Sequence, residues 1–359
     1  MSEHILSTVS QNTGFLTLQR PAALNSLSLP MVRALTQSLL AWRDDAQIAA
    51  VVIQGSSEKA FCAGGDIRFF HQKGTATVSD GSALIEDFFN EEYALNHLIH
   101  HYPKPYIALL DGVVMGGGMG IAQAGPQARV RVVTERTKMA MPEVAIGLFP
   151  DVGGSYFLSR APGEIGTYLG VTGQTIGAAD AIYAGLADLF VPSTALAALH
   201  ALLTQTPGQD LPAAIATVAM PADSAHCKLA LSRAAIDKHF SHNSVAAIMA
   251  SLATDSSEFA SKTLSVMQQR SPLMMSVSLA QIRRGAKLTV GDCLRMERTM
   301  VRRCFEHGEV IEGVRALVID KDHAPRWNPP QLEQVTVQMV EAFFEPAWPE
   351  YAHPLRDLD

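Results

Sequence analysis

Residues 104–120, KPYIALLDGVVMGGGMG, decide how this chain folds. Tyr106 to Leu110 is a short unbroken apolar run, the pattern of a strand covered on both faces. Gly116, Gly117, Gly118 and Gly120 follow it and lead into an apolar helical stretch. Strand, glycine turn and helix in that order are the signature of an α/β architecture. Glycines at such a turn leave backbone N–H groups at the positive end of a helix, where a negative oxygen is stabilised. The match to a dinucleotide loop is loose, because no acidic residue stands at a fitting distance after a second strand.

The same grammar extends outward. Phe15-Leu16-Thr17-Leu18, Val51-Val52-Ile53 and Ala128 to Val133 read as strands. Leu29 to Trp42 reads as a helix, with Ser28 as cap, Pro30 at the first helical position, and Met31, Leu35, Leu39 and Trp42 on one stripe. A second small-residue loop, Phe61-Cys62-Ala63-Gly64-Gly65-Asp66-Ile67, also follows a strand. Either loop alone reads equally well as a tight turn. Two donor loops in one chain suggest an oxyanion hole, two N–H groups aimed at one developing negative oxygen. Cys62 reads as a small packing residue.

The pattern changes after Pro192. Residues 193–224 are rich in Ala, Pro and Thr, with Pro207-Gly208, Pro212 and Pro221, and read as a junction. Beyond it strand signals are rare. Ser244 to Ala253, Ser257 to Gln269, Pro272 to Ala286 and Gly291 to Glu306 read as amphipathic helices. The expected partition is therefore a core over 1–192, a junction over 193–224, and a helical domain with a tail over 225–359. Pro325 to Pro330, with three prolines and Trp327, reads as a wrapped tail. No strict fixed-period repeat is visible.

Composition narrows the function. The chain has 359 residues, 48% of them hydrophobic and 18% charged, enough to bury a full core and exclude general disorder. A net charge of −7 argues against nucleic acid as a partner. Four cysteines lie far apart with no Cys-x-x-Cys, which fits a reducing compartment. The opening MSEHILSTVS carries Glu3, and no Arg or Lys precedes Arg20, unlike a secretory signal or an Arg-rich transit peptide. The most apolar stretch, Pro105 to Gly125, is interrupted by Asp111 and six glycines and does not read as a membrane span. The expected setting is cytoplasmic.

Two carboxylates stand out. Met141-Pro142-Glu143 places one in the first turn of a short helix, where it complements the dipole. Asp151 precedes Val152-Gly153-Gly154-Ser155 and, taken alone, reads as a helix N-cap. They lie eight residues apart across a Gly-Leu-Phe-Pro turn. That spacing permits both to face one apolar pocket, where burial raises at least one pKa. His97, His100 and His101 share a helix face, but without a His-Glu-x-x-His frame they read as surface or packing residues. Ser155 lacks a Gly-x-Ser-x-Gly elbow.

Together the segments RPAALNSLS (20–28), AFCAGGDIR (60–68), KPYIALLDGVVMGGGMG (104–120), MPEVAIGLFPDVGGSYFLSR (141–160) and LGVTGQTIGAADAIYAGLAD (169–188) resemble the crotonase superfamily, the enoyl-CoA hydratase/isomerase fold. Within it, Asn90-Glu91-Glu92-Tyr93, the Phe-Pro-Asp-Val-Gly-Gly run at 149–154 and EGVRALVIDKDHAPRWNP (312–329) resemble the 3-hydroxyisobutyryl-CoA hydrolase branch. The resemblance implies a crotonase-like spiral of ββα units followed by a C-terminal helical domain. It implies an oxyanion hole at Gly65 and Gly117, and an acyl-CoA arm running past Asn25, Leu27, Ala63, Asp66, Ile67 and Arg68, with Arg68 a phosphate partner.

A departure separates the subtypes. The hydratases carry a Glu three residues after the middle glycine, where this chain has Gly120. The hydrolase branch pairs the second Glu, here Glu143, with an Asp eight residues on, here Asp151, and contacts substrate through a Glu matching Glu92. The resemblance thus implies thioester hydrolysis of 3-hydroxyisobutyryl-CoA, a step of valine catabolism. Glu143 would act as nucleophile or base, and Asp151 would handle the proton. No cofactor or metal is implied, since CoA belongs to the substrate. The remaining alternatives are an enoyl-CoA isomerase or hydratase-type enzyme and a non-catalytic acyl-CoA-binding scaffold. Neither nucleic acid nor membrane is an expected partner, and a homo-oligomer is compatible with the superfamily.

Overall fold

The computed structural model describes residues 2–76 and 82–358. Its contacts gather the chain into two compact units, and these interleave rather than follow one another.

The first unit comprises 1–65, 94–140 and 176–230. It holds β1 (Ile5–Ser10), β2 (Thr13–Leu18), β3 (Ala50–Gly55), β4 (Ala60–Cys62), β5 (Tyr106–Leu110), β6 (Val113–Met115), β7 (Arg129–Val133), β8 (Lys138–Ala140) and β9 (Leu189–Phe190). A six-stranded sheet runs β1-β2-β3-β5-β7-β9, and a three-stranded sheet runs β4-β6-β8. Among the strand pairs of the described residues, β1–β2 alone is antiparallel. The chain visits the large sheet and then the small one three times, as β3–β4, β5–β6 and β7–β8. That is the expected spiral of ββα turns. It leaves no fixed sequence period because the segments between turns differ in length. Every residue of β5 is buried, the reason its sequence is apolar without alternation.

Residues 193–224 are a correction. They are not a loose junction: helices Leu196–Gln205 and Leu211–Val218 cover the large sheet. Leu199 and Leu203, then Leu211 and Ile215, form two i,i+4 pairs packed with Phe15, Val52, Ile107 and Val132. The prolines that suggested a linker stand where helices tolerate them. Pro207 caps a 3-10 turn, and Pro212 occupies the first turn of its helix. Truncating Leu199 to alanine in this core would cost ~2–5 kcal/mol.

The second unit comprises 66–93, 141–175 and 231–359. The expected boundary between a core ending at 192 and a helical domain starting at 225 therefore does not match how the contacts group. Residues 66–93 and 141–175 pack with the C-terminal helices instead, because their apolar faces meet there. Phe70 packs edge-on and Phe89 tilted against Phe305, for example. No strand occurs after β9 among the described residues. Helix Pro272–Gly285 starts at the Ser271 cap, whose hydroxyl accepts the Met274 N–H, and buries Leu273, Met274, Val277, Ser278 and Gln281. Helix Val290–His307 starts at the Thr289 cap and stops at Gly308. The tail at 325–330 forms no helix or strand and is tied back by the Asn328 N–H donating to buried Glu309.

Candidate active site

In the first unit the two glycine loops abut. The turn after β4 is held by the Ala63 N–H donating to the Leu24 carbonyl and the Leu27 N–H donating to the Gly64 carbonyl. Leu27 also bridges to Gly65. Gly64 has φ +97°, and a Cβ there would lie 3.1 Å from the Met115 carbonyl and 3.5 Å from the Gly117 nitrogen. A Cβ on Gly118 would lie 2.3 Å from the Cys62 carbonyl oxygen. Only glycine permits this approach of backbone to backbone. Gly117 opens helix Gly117–Gly120, so its N–H has no acceptor inside that helix. The loop pair thus brings the Gly117 nitrogen beside Gly64.

Other expected contact residues serve the loops themselves. The fully buried Asn25 accepts the Arg20 N–H at 2.8 Å and donates to the Ala60 carbonyl at 2.9 Å. Its amide therefore shapes the wall and does not present a polar group outward. Leu27 is fully buried, and Ala63 partly exposed. In the second unit, Asp66 accepts the Phe69 N–H at the start of helix Ile67–Ala76, Ile67 is half-buried, and Arg68 is exposed on that first turn. His97 and His101 stack on each other, and among the described residues no group of side chains is placed to hold a metal ion.

The second unit gathers the carboxylates. Glu92 and Tyr93 come from helix Ala83–His100, Glu143 from the 3-10 turn Glu143–Ala145, and Asp151 from the turn that follows. All four are at most 5% exposed. Tyr93 donates to Asp151 Oδ2 at 2.7 Å. Burial pushes the Asp151 carboxyl up to about 6, against the lowering effect of that hydroxyl. Burial and then the Asp151 charge push Glu92 and Glu143 well above the ordinary carboxylate range. Glu92 Oε1 and Glu143 Oε2 are buried with no hydrogen-bond partner among the described residues. Buried polar atoms are seldom left so, and a hydrogen-bonding substrate would satisfy them.

Asp151 does not cap a helix. Gly153 holds the cap position of helix Gly154–Leu158, and the free N–H groups of Gly153 and Ser155 donate to Glu297 at 2.7 and 2.8 Å. The Asp151 side chain is thereby left for Tyr93. Val152, between them, sits at φ +53°, a conformation that costs a β-branched residue ~1–3 kcal/mol. The sequence reading missed Glu297. A signal existed: Val290, Leu294, Val301 and Cys304 form a buried stripe, and Glu297 falls at the position in that stripe where an apolar residue is due.

Residues 13–344 match the family described as enoyl-CoA hydratase/isomerase. The chain belongs to that family. A curated relative, "3-hydroxyisobutyryl-CoA hydrolase, mitochondrial" of Xenopus tropicalis, is 41% identical over 94% of this chain and 88% of its own length. Two solved structures carry other names. A carnitinyl-CoA dehydratase from Mycobacterium thermoresistibile is 39% identical with TM-score 0.89, covering 97% of this chain and 98% of that one. An enoyl-CoA hydratase from Rhodobacter sphaeroides is 36% identical with TM-score 0.85, covering 96% and 98%. Family membership therefore establishes the fold of this enoyl-CoA hydratase/isomerase member. The site residues must choose among the named reactions, and this family member carries glycine at 120.

Proposed function

We propose that the protein hydrolyses the thioester of a short 3-hydroxyacyl-CoA, 3-hydroxyisobutyryl-CoA foremost, to the free 3-hydroxy acid and CoA. The observation that carries this reading is the acid–base set itself. Glu143 is buried with Asp151 and Glu92, and Gly120 stands where the two-glutamate hydration route needs a second Glu. A hydrolase needs one group to attack the carbonyl or activate water, and another to handle the leaving group's proton.

In the proposed sequence the Gly65 and Gly117 N–H groups hold the thioester oxygen as it becomes an oxyanion. Glu143 either attacks the carbonyl carbon, forming a mixed anhydride as the C–S bond breaks, or takes a proton from the attacking water. Asp151, held by Tyr93, passes a proton between water and the departing CoA sulfur. Water supplies the oxygen of the product acid, so thioester and water balance acid and thiol without a cofactor. Glu92 accepts the hydrogen bond of the substrate hydroxyl. Arg68, exposed on its helix, is the proposed partner of the CoA phosphates.

The named relative's reaction, the buried unpaired Glu92 oxygen and the glycine at 120 support the branched 3-hydroxyacyl substrate, and hence a place in valine catabolism. We place the protein in the cytoplasm, supported by four buried free cysteines, although that relative is named as mitochondrial. No described helix is long and apolar enough to cross a membrane. One experiment tests the whole reading. Thiol release from 3-hydroxyisobutyryl-CoA is followed beside dehydration of the same substrate and isomerisation of a 3-enoyl-CoA. Hydrolysis should dominate; dehydration, isomerisation or binding without turnover would each replace the reading.

A further inference from the structure

Asp151 sits on a turn closed locally by the Gly154 N–H donating to the Asp151 carbonyl at 2.7 Å. Val152 and Gly153, the next two residues, both have positive φ, and the helix they lead into is only one turn long. Two side chains from distant helices clamp it. Gln281 Nε2 spans Asp151, donating to the Pro150 carbonyl and, at 2.7 Å, to Ser155 Oγ. Both oxygens of Glu297 are used after it: Oε2 accepts the Gly153 N–H and Oε1 the Ser155 N–H.

Glu297 is fully buried in the apolar stripe of helix Val290–His307. An apolar side chain there would leave the Gly153 and Ser155 N–H groups buried and unpaired. The carboxyl group, which burial pushes up to about 8, also adds direction: one hydrogen bond to each oxygen fixes two backbone nitrogens at once.

We propose that Glu297 is a positioning residue for Asp151, fixing the turn so that the Asp151 carboxylate meets the Tyr93 hydroxyl and the substrate. It touches neither substrate nor reacting atoms. The inference rests on the role given to Asp151 above. Glu297→Gln retains one acceptor oxygen and turns an NH₂ toward a backbone N–H, so one of the two bonds becomes a repulsion.

The test is a double-mutant cycle on the full chain, with thiol release from 3-hydroxyisobutyryl-CoA as readout. Glu297→Gln should lower kcat ~10–100-fold with KM changed less than ~3-fold, the scale of a misplaced catalytic group. In the Asp151→Asn background the same substitution should cost less than ~3-fold, because there is no carboxylate left to position. Equal losses in both backgrounds, or an unchanged kcat in the single variant, would overturn the proposal while leaving Asp151 in the mechanism. An unchanged kcat in Asp151→Asn alone would instead overturn the role of Asp151, and the proposal with it. Thermal melts accompany each variant. Should Glu297→Gln fail to fold, Glu297→Asp, which keeps the carboxyl group but is too short for both nitrogens, is carried through the same cycle.

Discussion

Tyr93 and Asp151, 58 positions apart in the chain, are joined by a buried 2.7 Å hydrogen bond from the phenol to the carboxylate. The bond favours the charged form of Asp151 and so pulls against burial, which leaves the carboxyl at about 6. Removing the donor must raise it further. The limb of the kcat/KM profile that reports Asp151 should lie near pH 6 in the native enzyme. It should move to higher pH in Tyr93→Phe and vanish in Asp151→Asn. A Tyr93→Phe profile that superimposes on the native one would detach Asp151 from that limb.

Glu143 is the proposed nucleophile or base, and glutamine keeps its shape while removing both capacities. Glu143→Gln should lower kcat by at least ~10²–10⁴-fold, with acyl-CoA binding retained by calorimetry. In native enzyme, a single turnover in heavy-oxygen water followed by mass spectrometry separates the two roles. Label on the Glu143 side chain establishes the anhydride. A Glu143→Gln variant keeping more than about a tenth of native kcat contradicts both roles.

The unpaired oxygen of Glu92 sets the substrate ranking. A β-hydroxyl supplies its missing donor, and a plain acyl chain leaves it stranded. Sites built to pair a hydroxyl reject the analogue lacking it by up to ~10⁴–10⁵. 3-Hydroxyisobutyryl-CoA should therefore be best, 3-hydroxypropionyl-CoA next and isobutyryl-CoA poor in kcat/KM. Glu92→Ala should flatten the order. Comparable native values for isobutyryl-CoA would remove Glu92 from substrate recognition.

Gly117 stands at the first position of its helix, so Gly117→Pro deletes the proposed donor, and its ring would press on the Gly64 turn. Losing one oxyanion-hole donor costs ~2.7–4 kcal/mol in the transition state, or ~10²–10³ in kcat. Circular dichroism confirms folding beside the assay. A folded variant with native turnover places the oxyanion elsewhere.

The raised carboxyl of Asp151 also carries a stability cost with a definite sign. A folded-state pKa above the unfolded one contributes stability below the unfolded value, and that contribution is lost as pH rises through the folded value. For Asp151 the window runs from its ordinary 3.8 to about 6. The melting temperature of Asp151→Asn relative to native should therefore climb between pH 4 and pH 7. The gain is on the order of 3 kcal/mol at most. A difference that shrinks across that interval would show that ionised Asp151 is stabilised by the fold.

Much of this was legible along the chain because it is local. Runs such as Tyr106–Leu110 are apolar on both faces only when a strand is covered twice. The glycines at 64 and 116–118 mark turns where backbone meets backbone. Glu143 and Asp151 are eight residues apart, so one turn can bring them into the same buried cluster. Gly120 excludes a second glutamate at that position by its identity alone.

The tertiary structure decided what periodicity cannot carry. A stripe of apolar residues reports that a face is buried, not what buries it. Leu199, Leu203, Leu211 and Ile215 thus gave no sign of the sheet they cover, and proline-rich composition suggested a linker instead. The partner of Asp151 lies on a helix 58 residues earlier, and the acceptor for Gly153 lies 144 residues later on Glu297. The Asp-Val-Gly-Gly run therefore read as its own helix cap. In the folded chain Glu297 supplies the acceptor and frees Asp151, since hydrogen bonds depend on which groups are brought within 3 Å and not on their separation in sequence.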